Sequence, residues 1–169
     1  ITRVGDARPG QVQVDFEEVK GVRKLRISDN GVGMTPDELR ENINRLSASG
    51  GIQAFDKNFG IGAKISAGTR NPHGVMFKTW KGGEGALTIM GRVEGRYGRI
   101  GFRNDLDDRV DYWLPLCDED KHQVIEESGV SVVLLGRGAD DDTTVAPPGA
   151  DLPSQWVAAY LERRYFRIP

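Results

Sequence analysis

The chain has 169 residues, of which 23 are Lys or Arg and 25 are Asp or Glu, so its formal net charge is −2. This length predicts one domain with a sizeable core, and the ordinary apolar content excludes a disordered chain, a collagen and a coiled coil. The single cysteine excludes a disulfide scaffold, no apolar run is long enough to span a membrane, and the near-neutral charge gives no sign of nucleic-acid binding.

The first part of the chain predicts an antiparallel hairpin. Residues 11–17 alternate between apolar and polar side chains, which is typical of a half-buried strand. Residues 24–28 alternate again, and the pair Lys20-Gly21 between the two runs indicates a tight turn.

A capped helix is predicted next. Thr35 is a candidate N-cap, Pro36 takes the first helical position and Glu38 completes a capping box. Apolar residues then recur at helical spacing: Leu39, Ile43 and Leu46. Residues 47–58 have no period and are interpreted as a mobile loop.

The remainder of the chain is rich in strand signals. A short helix over 63–67 is predicted to end at Gly68. Strands are predicted over 75–80, 86–93, 96–103, 110–116 and 130–135, with Pro115 placing the fourth of them at a sheet edge.

The last elements complete a chain of about seven strands and three or four helices. Residues 118–127 are predicted as a short helix, 138–153 as a loop and 155–165 as a closing helix. Early helices and late strands favour the α+β class, with one mixed, mostly antiparallel sheet and helices on one face.

Two glycine-rich elements carry the chemistry. Residues 29–34 (Asp-Asn-Gly-Val-Gly-Met) follow a strand and precede the capped helix, and residues 59–62 (Phe-Gly-Ile-Gly) precede another helix. At the strand end Asp29 can accept a hydrogen bond from an exocyclic amine, while Gly31 and Gly33 let the backbone approach a flat ring. Gly60 and Gly62 leave bare N–H groups at a helix start, where anions are favoured. The arrangement indicates a nucleotide pocket, with 47–58 as its lid.

Other kinds of site fit less well. Residues 60–64 lack the Gly-Lys-Ser/Thr ending of a P-loop, and no strand directly precedes a dinucleotide fingerprint. No spacing of His, Cys and Asp predicts a metal site, and Cys117 is interpreted as structural. A β-rich binding domain in which the glycines are only turns is the plainest alternative.

The two glycine-rich elements and the segment between them resemble those of the GHKL ATPases, which have the Bergerat ATP-binding fold. Residues 27–35 look like the first glycine box of the heat-shock-chaperone and MORC branches. Residues 39–43 and 47–50 look like the following helix and lid entry, and 58–64 like the second glycine box. The resemblance is specific over 25–68, rests on strand order from 74 to 135, and does not extend beyond 136.

The resemblance implies roles for the first box and its helix. Asp29 would bind the adenine amino group, directly and through water. Gly33 and Met34 would flank the adenine, and Asn42 would face the sugar–phosphate region.

Further roles follow for the lid and the second box. Ser49 and Gly50 would belong to the lid, and Lys64 could reach the γ-phosphate or face solvent. Backbone N–H groups would reach the terminal phosphates from four residues: Phe59, Gly60, Ile61 and Gly62.

Two departures from the family pattern stand out. The family's catalytic Glu and Mg²⁺-binding Asn lie on a helix before the first strand pair, so we expect residues 1–169 to be a single domain in a fragment that lacks this helix. The family also often has Gly-Thr at the start of a late strand, with the hydroxyl near the adenine-binding Asp. Here that segment reads Gly129-Val130-Ser131. Either the contact is lost or the register is shifted by one residue.

The resemblance implies a cytoplasmic ATPase that uses ATP and Mg²⁺, with the catalytic Glu upstream of residue 1. ATP would order the lid, and the ordered lid would create a surface for a second copy or a partner protein. No membrane contact is expected, and nucleic acid would be bound only through other domains. A non-hydrolysing nucleotide-binding or partner-assembly module and a sensor histidine kinase are the alternatives.

Overall fold

The predicted hairpin opens the sheet. The computed structural model describes residues 10–44, 67–103, 109–150 and 153–157. Strands β1 (Val12–Val19) and β2 (Val22–Asp29) pair antiparallel, with Val12 opposite Asp29. Lys20 and Gly21 form the turn with φ of 52° and 79°, so the predicted hairpin is confirmed.

In the described part of the chain, seven further strands follow the helix α1 (Pro36–Asn44). They are β3 (Val75–Lys81), β4 (Glu84–Val93), β5 (Arg96–Arg99), β6 (Phe102–Arg103), β7 (Val110–Asp111), β8 (Leu114–Leu116) and β9 (Gly129–Leu134). The main sheet has the order β1-β2-β9-β3-β4-β5, with β8 also paired to β4, and β6 and β7 form a separate ribbon. Every strand pairing in the described ranges is antiparallel, and the class is α+β.

One face of the sheet, here called the helix face, carries the apolar core. Leu39 of α1 packs with the buried side chains of Val75, Phe77 and Ala86. Because successive side chains of a strand alternate between faces, Asp29 and Thr79 share this face with Phe77. No helix within the described ranges is long and apolar enough to cross a membrane.

The other face, here called the polar face, carries a network of charges. Arg26 holds Asp15 through two hydrogen bonds of 2.8 and 2.9 Å, and Asp15 also bonds His122 Nε2 at 2.8 Å. Lys78 pairs with Glu17 at 2.6 Å. The network ties β1 to β2, to β3 and to the segment before β9.

Lys24 is the most deeply buried charge on the polar face, with 1% of its surface exposed. Its ammonium donates to three backbone carbonyl oxygens, those of Leu135, Gly138 and Asp141. These three bonds use all the donors of the group, so the burial of the charge is compensated.

Two predicted strands are each divided. The strand predicted over 96–103 breaks after β5, because the chain leaves β4 and pairs Phe102 with Asp111 in the ribbon. The strand predicted over 110–116 splits into β7 and β8. Since β5 occupies only the Met90–Val93 half of β4, β8 fits beside Gly85–Leu87 on the same edge. Pro115 lies in β8, which among the described strands pairs with β4 alone, as predicted for an edge strand.

Two helix predictions are wrong. Over 118–127 only the 3-10 turn Asp118–Asp120 forms. The Val124 N–H is taken by Nδ1 of His122 at 3.1 Å, which removes a bond that a helix would need. Residues 67–70 are helical and the Asn71 N–H donates to Ala67 O at 2.9 Å, so Gly68 does not end that helix.

Some predictions lie outside the described residues. These are the loop over 47–58, residues 63–66 of the short helix and the closing helix after residue 157. The predicted loop beyond residue 138 is confirmed up to residue 150.

Candidate functional site

Asp29 stands at the end of β2, where the chain turns into the first glycine-rich element. Its Oδ1 accepts the Gly31 N–H at 2.8 Å, which closes a tight turn. Partial burial raises the pKa of this carboxyl above its usual range, although the Gly31 N–H acts in the opposite direction. No described residue donates a hydrogen bond to Oδ2. Among the described residues, one carboxylate oxygen of Asp29 therefore has no hydrogen-bond donor.

The glycine-rich element is tied down on both sides. Asn30 Oδ1 accepts the Gln11 N–H at 2.7 Å, which fastens the element to the start of β1. Ser128 donates its hydroxyl to Gly31 O at 2.8 Å, which fastens it to the segment before β9. The glycine-rich element that follows Asp29 is therefore held by two neighbouring segments.

Gly33 passes directly over the sheet backbone. Its φ is 59°, and a Cβ at this position would lie 2.0 Å from Trp80 O and 2.9 Å from Gly129 N. The need for glycine here comes from the close approach to β3 and β9. The sequence predicts that Gly33 lets the backbone approach a flat ring. The close packing against the sheet is a second reason for glycine at this position.

Thr79 is the site residue that the sequence analysis missed. It is fully buried, and its Oγ1 accepts the Met34 N–H at 2.7 Å. Its own O–H points toward the carbonyl oxygens of Met34 and Gly129, at 3.1 and 3.3 Å. The hydroxyl thus fixes the end of the glycine-rich element to β3. The sequence feature that could have identified Thr79 is a threonine at an inward-facing position of an otherwise apolar strand.

A row across three strands fixes the register of β9. Asp29 lies opposite Val130, and Val130 lies opposite Thr79. Ser131 is on the polar face, where its hydroxyl bonds that of Ser28 at 2.7 Å. The register is therefore not shifted, and the residue of β9 beside Asp29 has no hydroxyl.

Helix α1 begins as predicted. Thr35 Oγ1 accepts the Glu38 N–H at 3.2 Å, and Glu38 accepts the Thr35 N–H at 2.8 Å, which completes the capping box. Lys81 donates hydrogen bonds to both carboxylate oxygens of Glu38 at 2.8 Å. These bonds are the main reason why the pKa of the Glu38 carboxyl is lowered. The helix is thus held against β3.

The structure brings the predicted residues of the first box and its helix together. Asn42 Nδ2 lies 3.4 Å from Met34 Sδ, so the helix residue meets the end of the glycine-rich element. Five predicted site residues occupy this region: Asp29, Gly31, Gly33, Met34 and Asn42. The others lie outside the described residues: Ser49, Gly50, Phe59, Gly60, Ile61, Gly62 and Lys64.

An open cleft of about 650 Å³ lies beside this region, on the side of Val32. Its lysines are paired, Lys81 with Glu38 and Lys121 with Asp118 at 2.7 Å. None of the five predicted site residues that the structure describes lines this cleft. Within the described part of the chain no group of three or more His, Cys, Asp or Glu side chains is placed to hold a metal ion.

Comparison with known proteins gives a partial likeness. No family model matches the chain. The chaperone protein HtpG of Methylococcus capsulatus is 42% identical over 62 residues, which is 37% of this chain and 9% of HtpG. The chain therefore matches only a small part of that relative's length.

Proposed function

We propose that the chain is an ATP-binding domain of the GHKL type. The half-buried carboxylate of Asp29 is the observation that supports this best, because one oxygen is committed to the Gly31 N–H and the other has no donor among the described residues. The partial likeness to a chaperone adds support, since heat-shock chaperones are one branch of the resembled family.

In this proposal Asp29 Oδ2 accepts a hydrogen bond from the exocyclic amine of adenine. The partly buried Met34 flanks the ring, and Asn42, which contacts Met34, faces the sugar. Thr79 contributes indirectly, because it holds the Met34 backbone in place.

The second glycine box completes the proposed site. Residues 59–62 donate backbone N–H groups to the terminal phosphates, and Lys64 reaches toward the γ-phosphate. Ser49 and Gly50 close over the nucleotide as part of the lid. The closed lid then presents a surface to a second copy or a partner protein.

ATP hydrolysis is the proposed reaction. A water attacks the γ-phosphorus in line, ADP leaves, and a general base outside the described residues takes the proton of the water. Bound Mg²⁺ would neutralise charge on the phosphates. The residues of this chain bind and orient the nucleotide.

Calorimetric titration with a non-hydrolysable ATP analogue and Mg²⁺ tests the proposal, with Asp29→Asn as the decisive variant. The Asn oxygen keeps the Gly31 N–H, so the amide NH₂ takes the place of Oδ2 and meets the adenine amine donor to donor. We expect the affinity to fall more than about tenfold.

An inosine analogue sharpens this test, because its ring presents a carbonyl where adenine has an amine. Asp29→Asn should favour the inosine analogue over the adenine analogue, reversing the preference of the original chain. Asp37→Asn is the matched control, since its side chain is 86% exposed at the start of α1. Unchanged ATP affinity in Asp29→Asn, or equal losses in both variants, would contradict the proposal.

A further inference from the structure

Arginine and aromatic side chains gather at the β4–β5 end of the helix face. We name this set the arginine–aromatic patch; it consists of Arg40, Arg92, Tyr97, Arg99, Tyr112 and Trp113. Arg40 comes from α1, and three members come from the β4–β5 hairpin. The last two lie between β7 and β8.

Contacts and strand register make the patch continuous. Arg40, Arg99, Tyr112 and Trp113 surround one small cavity of about 10 Å³. Arg92 lies directly opposite Tyr97 in the β4–β5 pairing. Tyr97 and Arg99 are two residues apart in β5, so they share a face at a spacing of roughly 7 Å.

Two of the guanidinium groups lie over aromatic rings. Cζ of Arg40 is 4.5 Å from the centroid of Trp113, and Cζ of Arg99 is 4.8 Å from that of Tyr112. Such stacking holds the planar guanidinium in one orientation while its N–H donors remain at the edge. Oriented donors of this kind suit the oxygens of a phosphate.

The patch carries local positive charge in a chain whose net charge is −2. Arg92 donates to Gly95 O at 3.2 Å, and among the described residues no carboxylate lies within ion-pair distance of Arg92 or Arg99. The partner of Arg40 is the exposed Asp37, at 3.5 Å. The patch therefore holds three arginines, of which Arg40 is paired with an exposed carboxylate.

Exposed aromatic rings accompany these charges. Tyr97 is 51% exposed and Tyr112 is 41% exposed. A flexible polyanion with flat rings, such as single-stranded nucleic acid, uses both features, because its phosphates pair with arginine and its bases stack on aromatic side chains. An acidic protein segment would use only the charges.

We infer that the arginine–aromatic patch binds single-stranded nucleic acid without strong sequence preference. Phosphates contact Arg92 and Arg99, and bases stack on Tyr97 and Tyr112. The inference does not depend on the proposed nucleotide site, because the patch shares no residue with it. An experiment that contradicts one of these two proposals therefore does not contradict the other.

Fluorescence anisotropy of a labelled twelve-nucleotide oligothymidine, titrated with the chain at several salt concentrations, tests the inference. Tyr112→Ala should weaken binding at least about fivefold, because one base loses its stacking surface. Arg99→Gln should weaken binding and make the slope of log affinity against log salt less negative by about 0.7, because one phosphate contact is lost.

Arg23→Gln is the matched control. Arg23 also lies over an aromatic ring, 5.4 Å from the centroid of Phe16, but it belongs to β2, and its loss changes the net charge equally. The Arg23→Gln variant should bind oligothymidine with the same affinity and the same salt slope as the unmodified chain. Equal effects of Arg23→Gln and Arg99→Gln would overturn the inference, since they would show attraction by total charge alone.

Two further outcomes would also overturn the inference. One is equally tight binding of a glutamate polymer of the same charge, which would identify a surface for acidic proteins. The other is unchanged oligothymidine affinity in Tyr112→Ala. Arg92→Gln, at an exposed position, repeats the charge test if thermal unfolding shows that a change at Arg99 loosens the sheet edge.

Discussion

Two aspartates of the first hairpin have opposite environments. Hydrogen bonds from Arg26, and more weakly from His122, hold the pKa of Asp15 below its usual range, although burial acts the other way. Burial raises the pKa of Asp29. The ionised form is therefore stabilised by folding at Asp15 and penalised by folding at Asp29.

The pH dependence of stability should separate these aspartates. A lowered pKa in the folded state contributes stability above the unfolded pKa, and this stability is lost as pH falls through the folded value. Asp15→Asn should therefore cost about 2 kcal/mol at neutral pH, and the cost should shrink as the solution is made acidic. Urea unfolding over a pH series measures it.

Asp29→Asn should behave in the opposite sense. Because the raised pKa makes ionisation costly in the folded state, stability of the original chain falls as pH rises from the unfolded to the folded pKa. The variant lacks this fall, so its stability relative to the original chain should rise from acid to neutral pH. A cost that grows toward neutral pH in Asp29→Asn would refute the assigned environment.

The glycine-rich element between β2 and α1 is shaped by the sheet beneath it. Gly33→Ala should lower the free energy of unfolding by more than about 3 kcal/mol, because its Cβ would meet the Trp80 carbonyl at 2.0 Å. Chemical denaturation measures the loss.

Gly21→Ala is the control for backbone conformation alone. Gly21 also has positive φ, 79°, but nothing lies within 4 Å of its Cβ position. It should lose only about 1 kcal/mol. Equal losses in both variants would mean that the approach to Trp80 is not what requires glycine at position 33.

Elements decided by neighbouring residues could be predicted from the sequence. The alternation before and after Lys20-Gly21 predicts the hairpin, and the side chains of Thr35 and Glu38 predict the helix start. Each depends on residues only a few positions apart, so the local pattern contains the necessary information.

Elements decided by distant contacts could not be predicted. The failed helix over 118–127 depends on the ring of His122, whose other nitrogen bonds Asp15, 107 positions away. The candidate site also depends on a distant contact. The motif alone predicts Asp29 as a site residue. The hydrogen bond between the Met34 N–H and Thr79 joins residues 45 positions apart, so it appears only when β3 is placed.

At the scale of the whole molecule, the sheet separates the face that carries both proposed binding sites from the face that carries the network of charges. Asp29, Thr79 and the arginine–aromatic patch belong to the helix face, while the network of Asp15, Arg26 and Lys78 belongs to the polar face. A ligand on the helix face should therefore stabilise the fold without disturbing that network.

Thermal unfolding should register this linkage. If ATP binds only the folded chain, an analogue at a hundred times its dissociation constant adds about 2.7 kcal/mol to the free energy of unfolding. For a chain of this size the midpoint should rise by roughly 5–10 °C. Asp29→Asn should show little shift, and a full shift in that variant would contradict adenine recognition by Asp29.

Lys24 fastens the loop after β9 in a way that neither dilution nor a chelator can reverse. Carbonyl oxygens that converge on one positive charge are also the way in which proteins hold metal cations. A bound ion leaves when it is diluted or chelated, but an ammonium on the chain's own side chain cannot. The loop at residues 135–141 is therefore fastened by a positive charge that is covalently part of the chain.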